Sequence, residues 1–180
     1  MAAGFGNSKN TWLSIIQIHP AMKIYLSLTE RLTTQHQAIE NIVSTNDIDR
    51  ILVRPLPKKW NIHDNVAHLV RYQIIFIDRI NEILSKENPS FDRYSADEDP
   101  EFENCRALDI KTLFTHLNAD RKTICNLITV LTDTQLNRVG RHKKFGSLTI
   151  IEWAEFFLLH EAHHIFTIFQ LTHDTELTVI

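Results

Sequence analysis

His160 and His164 stand four residues apart in an apolar segment spanning residues 148–171. Laid on a helix, they share one side with Trp153, Phe157, Thr167 and Leu171, while His163 joins Glu152, Glu155 and Gln170 on the polar side. The i, i+4 spacing brings both imidazoles over one point, where they can chelate a divalent metal. Without a shared ion, two neutral imidazoles buried beside Trp153 and Phe157 leave ring nitrogens to satisfy, at about 1–3 kcal/mol each if unpaired. A third ligand must come from elsewhere, and His68 is the best candidate. It lies on the flank of its own helix with Asn65, Tyr72 and Arg79, three residues able to orient a ligand or a metal-bound group. For each of those three, a solvated helix flank is the plainer reading.

His160-Glu161-Ala162-His163-His164 also matches the H-E-x-x-H pattern of zinc proteases, in which the glutamate is the general base. Glu161, however, points about 100° away from His160 around the helix, so a protease is the weaker interpretation. The remaining histidines, His19, His36, His63, His116, His142 and His173, read as satisfied core or surface residues. His163 reads the same way, with a supporting role beside the site as its alternative.

Such a site needs helices to hold it, and the chain supplies them. It contains four glycines and five prolines in 180 residues, which argues against a turn-rich β fold. Apolar residues recur at helical spacing in four stretches. The first covers residues 21–43, with Ile24, Leu28, Leu32, Ile39 and Ile42 inward. The second covers residues 62–85, with a stripe of Ile62, Val66, Leu69, Gln73, Phe76, Ile80 and Leu84. The third covers residues 110–131 through Leu113, Leu117, Ile124 and Ile128. The fourth is the histidine-bearing segment, which Ser147 or Thr149 and Glu152 can cap. The connectors at residues 44–61 and 86–109 are longer than antiparallel bundle neighbours need, so they permit crossovers. The second connector carries an acidic run between Asp92 and Glu103 that reads as a solvated loop, with a lid over a cleft as the alternative.

Composition narrows the function classes. A 43% hydrophobic, 23% charged chain is that of a soluble globular protein forming one domain over residues 1–180, with residues 1–20 an N-terminal extension and 172–180 a tail. A net charge of −3 gives no basic field for nucleic acid, and the densest basic run, residues 138–144, reads as a solvated loop. No apolar run reaches the ~18 residues that cross a bilayer, and residues 1–20 lack a secretory pattern, so a reducing cytoplasm is expected. Cys105 and Cys125 make no disulfide framework or zinc motif; Cys125 reads as a small core residue and Cys105 as part of a connector. Ile151, Leu158, Ile165 and Phe169 form a further apolar face on which a homodimer is plausible.

Two motifs together resemble a known family. Lys59-Trp60-Asn61-Ile62, Val66-Ala67-His68-Leu69-Val70 and Ile80 resemble the second-helix signature of the DinB/YfiT-like superfamily. The run from Phe145 to Trp153 leading into His160–His164 resembles its last helix. The resemblance extends from about Ile24 to Leu171. It implies an all-α four-helix bundle with long crossover connections and a divalent metal, zinc or nickel, held by His68, His160 and His164. It also implies a small-molecule substrate and, by analogy with the better-understood members, transfer of a low-molecular-weight thiol. Hydrolysis by an activated water suits the bare site equally. The rival class is a non-enzymatic bundle with a structural metal, which would show a fourth protein ligand.

Overall fold

The computed structural model describes residues 23–174. In chain order the elements are α1 (Leu26–Thr34), α2 (Gln37–Val43), α3 (Ile48–Leu52), α4 (Ile62–Ser85), β1 (Ser90–Phe91), a 3-10 turn (Ala96–Glu98), α5 (Pro100–Arg106), α6 (Ile110–Thr129), α7 (Asp133–Leu136), β2 (Val139–His142), β3 (Gly146–Thr149) and α8 (Ile150–His173). The first expected helix, α4, α6 and α8 make the four-helix bundle, with α4 packed against α5, α6 and α8. The three long helices start where the sequence offers caps. Asn61 and Asp64 form a reciprocal capping box on α4, and Thr149 and Glu152 form another on α8. The Asp109 side chain accepts from the Lys111 and Thr112 amides at the start of α6.

The first expected helix, residues 21–43, is corrected in two ways. Residues 21 and 22 lie outside the described residues, and the helix begins at Leu26 after an extended Tyr25. It is also broken at Gln35 and His36. Thr33 and Thr34 turn their hydroxyls back onto carbonyls one turn earlier, at 3.0 Å and 2.7 Å, which weakens the helix there. Gln35 then donates to the Leu158 carbonyl oxygen at 2.9 Å, tying the break to α8. Leu28, Leu32 and Ile39 are buried as expected.

A small sheet is the larger departure. β1 pairs parallel with β2, and β2 antiparallel with β3, so part of the expected fourth helix and the basic run 138–144 are strand rather than helix and loop. Two of the four glycines make this possible. A Cβ at Gly140 would lie 2.7 Å from the Ile83 side chain, so only glycine lets β2 approach α4 so closely. Gly146 takes a φ of 78° where the hairpin turns into β3. The connectors are likewise structured. Asp64, buried at the start of α4, binds Arg54 at 2.7 Å and Arg106 at 2.9 Å, clamping one connector on each side of the helix.

Two more expectations shift. Ile151 and Leu158 are core residues rather than an outer face, although Phe169 is exposed, as are its neighbours Leu159 and Phe166. Cys125 is half-buried with its thiol on the Leu32 carbonyl, and Cys105 lies within α5.

Candidate metal centre

The N-terminal half of α4 is covered on every side. Residues 62–70 are all buried, because α3, α5, α6 and α8 pack around them. His68 is therefore 4% exposed although its helical-wheel position did not force it inward. From α8, His160 and His164 face it. The ligand nitrogens of His68, His160 and His164 all lie within 4.8 Å of one another, and the Nε2 atoms of His68 and His160 are 3.1 Å apart. Nitrogens on a tetrahedral zinc at ~2.0–2.1 Å stand roughly 3.3 Å apart, so the spacing fits a shared ion. Among the described residues no Cys, Asp, Glu or further His joins the cluster.

Electrostatics also suit a cation. Burial, reinforced by the neighbouring imidazoles, lowers the His68 pKa to about 2. Burial first, then His164, His163 and Arg79, lowers His160 to about 3, and burial and His163 lower His164 to about 4. All three rings are neutral at pH 7 and hold lone pairs for a metal. Asn65 fixes one tautomer: its Oδ1 lies 2.8 Å from His164 Nδ1, which donates and leaves Nε2 as the lone-pair atom. The Nδ1 atoms of His68 and His160 are buried without a hydrogen-bond partner. The Nε2···Nε2 contact satisfies at most one of the two facing lone pairs, whereas a cation takes both.

The cluster opens on a cleft of about 390 Å3. Trp60 and Tyr94 pack on His68 with ring centroids 4.9 and 5.5 Å away, and Tyr72 lies 3.9 Å from His160. Arg79 reaches the Tyr72 hydroxyl at 3.4 Å and the Asp92 carbonyl at 2.9 Å. Thus Asn65, Tyr72 and Arg79 all surround the histidines instead of forming a solvated flank. The acidic connector is a roof, not a free loop. Residues 93–97 line the cleft, and Asp99 anchors them by accepting from Arg71 at 2.6 Å and from Tyr94 at 3.0 Å. His163 is on the exposed rim, as its polar-side position suggested. A larger recess of about 850 Å3, beside Ile48 and Leu108, contains the already paired Asp64 and no converging ligand nitrogens.

Glu161 turns the other way. It is 1% exposed and pairs with Arg121 in the bundle interior, while Gln35 Nε2 donates to its second oxygen at 2.9 Å. Burial raises its pKa against the opposing pull of Arg121 and Gln35. It has no place at the metal centre, which removes the protease reading. Sequence reasoning passed over Trp60, Tyr94 and His142 as site residues. His142 sits on β2 and lines the cleft, and its pKa is lowered by burial, then by Arg79 and Lys144. These residues come from connectors and a strand, where helical periodicity carries no signal.

The family model of the DinB superfamily matches residues 31–168, the span that holds the bundle and all three histidines. The chain belongs to the DinB superfamily. Its fold matches a solved structure of YfiT from Bacillus subtilis, described as a probable metal-dependent hydrolase with an unusual four-helix bundle topology, at TM-score 0.73 and 19% identity. That match covers 89% of this chain and 94% of YfiT. A search of curated proteins finds no match. Among the described residues, no helix is long and apolar enough to cross a membrane.

Proposed function

We propose that this protein is a metal-dependent enzyme that transfers a low-molecular-weight thiol onto an electrophilic small molecule. One observation carries the reading: three neutral histidines converge at a cleft, and among the described residues no fourth protein ligand closes the set. A divalent ion there, zinc or nickel, would supply Lewis acidity, lowering the pKa of a thiol or water so that it attacks at neutral pH. His68, His160 and His164 would hold the ion. Asn65 keeps the His164 ring in one tautomer and orientation. Trp60, Tyr72 and Tyr94 wall the histidines on the side of the cleft. Thiol transfer is put first by analogy with the better-understood members of the family, and Glu161, buried on Arg121, offers the cleft no carboxylate base for either reaction. A reducing cytoplasm is the setting this reading implies.

Hydrolysis is the second reading, favoured by the description of YfiT as a probable metal-dependent hydrolase. One experiment separates them. Zinc- or nickel-loaded protein is incubated with cysteine and a bromobimane electrophile, and separately with an activated ester and no thiol. Thioether formation that depends on the metal and disappears in His160→Ala supports thiol transfer. Ester hydrolysis alone would transfer the assignment to a hydrolase, and no metal-dependent rate in either assay would overturn both.

A further inference from the structure

Arg79 is a buried cation of the cleft that the metal does not explain. It is 8% exposed. Its guanidinium lies against the rings of Trp153, Phe91 and Tyr72 at 5.4, 5.7 and 6.0 Å. It donates to a phenol oxygen and a backbone carbonyl, both neutral. Arg121, the other buried arginine, meets Glu161, and the half-buried Arg71 and Arg106 meet Asp99 and Asp64, while the half-buried Arg138 donates to two backbone carbonyls. Among the described residues no carboxylate lies within ion-pair distance of Arg79. A buried cation without a counter-charge costs several kcal/mol, so such groups are paired or await a partner.

The position indicates which partner. Arg79 and the three histidines line the same cleft, with Tyr72 between them: its ring lies tilted against His160 and its hydroxyl accepts from Arg79. Arg93 adds a second cation to the wall, against one acid, Asp97. We propose that the substrate carries a carboxylate, which Arg79 binds while the reacting group lies at the histidine centre. This rests on the metal-centre reading above and adds the substrate's charge to it. A planar guanidinium fits a carboxylate with two parallel hydrogen bonds, and the aromatic rings around it hold the fork in place. Arg79 is then a residue of substrate specificity, on the same cleft as the three histidines.

The test uses the cobalt-loaded protein, whose visible absorption reports thiols arriving at the centre. The probes are ω-mercaptoalkanoates of increasing chain length, each paired with the mercaptoalcohol of the same length. At least one carboxylate should bind about tenfold tighter than its alcohol, the gain of one charge-assisted contact. In Arg79→Gln that preference should shrink to about twofold or less while the cobalt spectrum stays as in wild type. Arg79→Lys should restore part of it. A wild type with no preference at any length, or a preference that survives in Arg79→Gln, would overturn the proposal while leaving the metal reading intact. A wild type that shows no cobalt spectrum would overturn the metal reading, and the proposal with it.

Discussion

His160 and Glu161 are adjacent in sequence, yet α8 sends them to two polar regions of opposite kind. Glu161 enters a sealed network. Arg121 holds it, donates through Nε to Gln73 Oε1 at 2.9 Å, contacts the Leu32 carbonyl and lies 4.9 Å from the Phe157 ring centre. Gln73 in turn donates to the Leu117 carbonyl at 2.9 Å. Every member has a partner, so the network fixes how α1, α4, α6 and α8 fit together. His160 enters a cluster of the reverse description: lone pairs converge, two Nδ1 atoms lack partners, and one side opens on a cleft. Satisfied buried polar groups serve the fold, and unsatisfied convergent ones await a ligand.

The contrast can be broken most forcefully at the network. Glu161→Ala strands a fully buried guanidinium and should cost about 3–5 kcal/mol, read from denaturant unfolding. The paired variant Arg121→Met/Glu161→Leu should lose less than either single change, because no charge is left unpaired. Equal losses in the pair and the singles would mean that Arg121 and Glu161 are not coupled.

At the other region the expected loss is in ligand, not in fold. Asn65→Ala releases the His164 ring and should weaken metal binding by about 10–100-fold in competition with a chelating dye. Its unfolding midpoint without metal should fall much less than that of Glu161→Ala. A comparable drop in stability would make the histidine cluster structural.

Acid gives a third comparison. His68 and His164 are lowered in the folded protein to about 2 and about 4 by burial, against an ordinary value of 6.5. Below about pH 6.5 the unfolded chain takes up protons that the folded metal-free protein refuses, so stability must fall as pH drops toward 4. Each such histidine contributes up to about 1.4 kcal/mol per pH unit in that window. Chelator-treated protein unfolded at pH 7 and pH 5 checks this. A pH-independent midpoint would show that the rings are not held neutral.

The smallest effect belongs to the outside of α8. Glu155 pairs with Arg31, and both side chains are partly exposed at 26% and 37%. Glu155→Ala should cost about 1 kcal/mol or less by thermal melting, with no change in metal content. A larger loss would give this outer pair the weight assigned to the inner one.

The sequence disclosed these regions unequally. The long helices were legible because their caps are local: Asn61 with Asp64, Asp109 with Thr112, Thr149 with Glu152. His160 and His164 were legible because i, i+4 is a local spacing. His68 was a candidate that the helical pattern supported only weakly and the family resemblance strengthened, since α4 is buried all round at that level and periodicity loses its meaning there. Tyr94 and His142 reach the cleft only because β1 pairs with β2 across half a hundred residues, a pairing no local pattern announces. Glu161 matched a protease motif that its angle on the helix already weakened, and the position of Arg121 on α6 shows where the side chain goes instead.

The most direct measurement is metal content by mass spectrometry on untagged protein purified without chelator, for wild type, His160→Ala and Glu161→Gln. Near-stoichiometric divalent metal is expected in wild type, very little in His160→Ala, and an undiminished amount in whatever Glu161→Gln folds. Wild-type protein that takes up neither zinc nor nickel would contradict the account, and so would His160→Ala protein that keeps its metal.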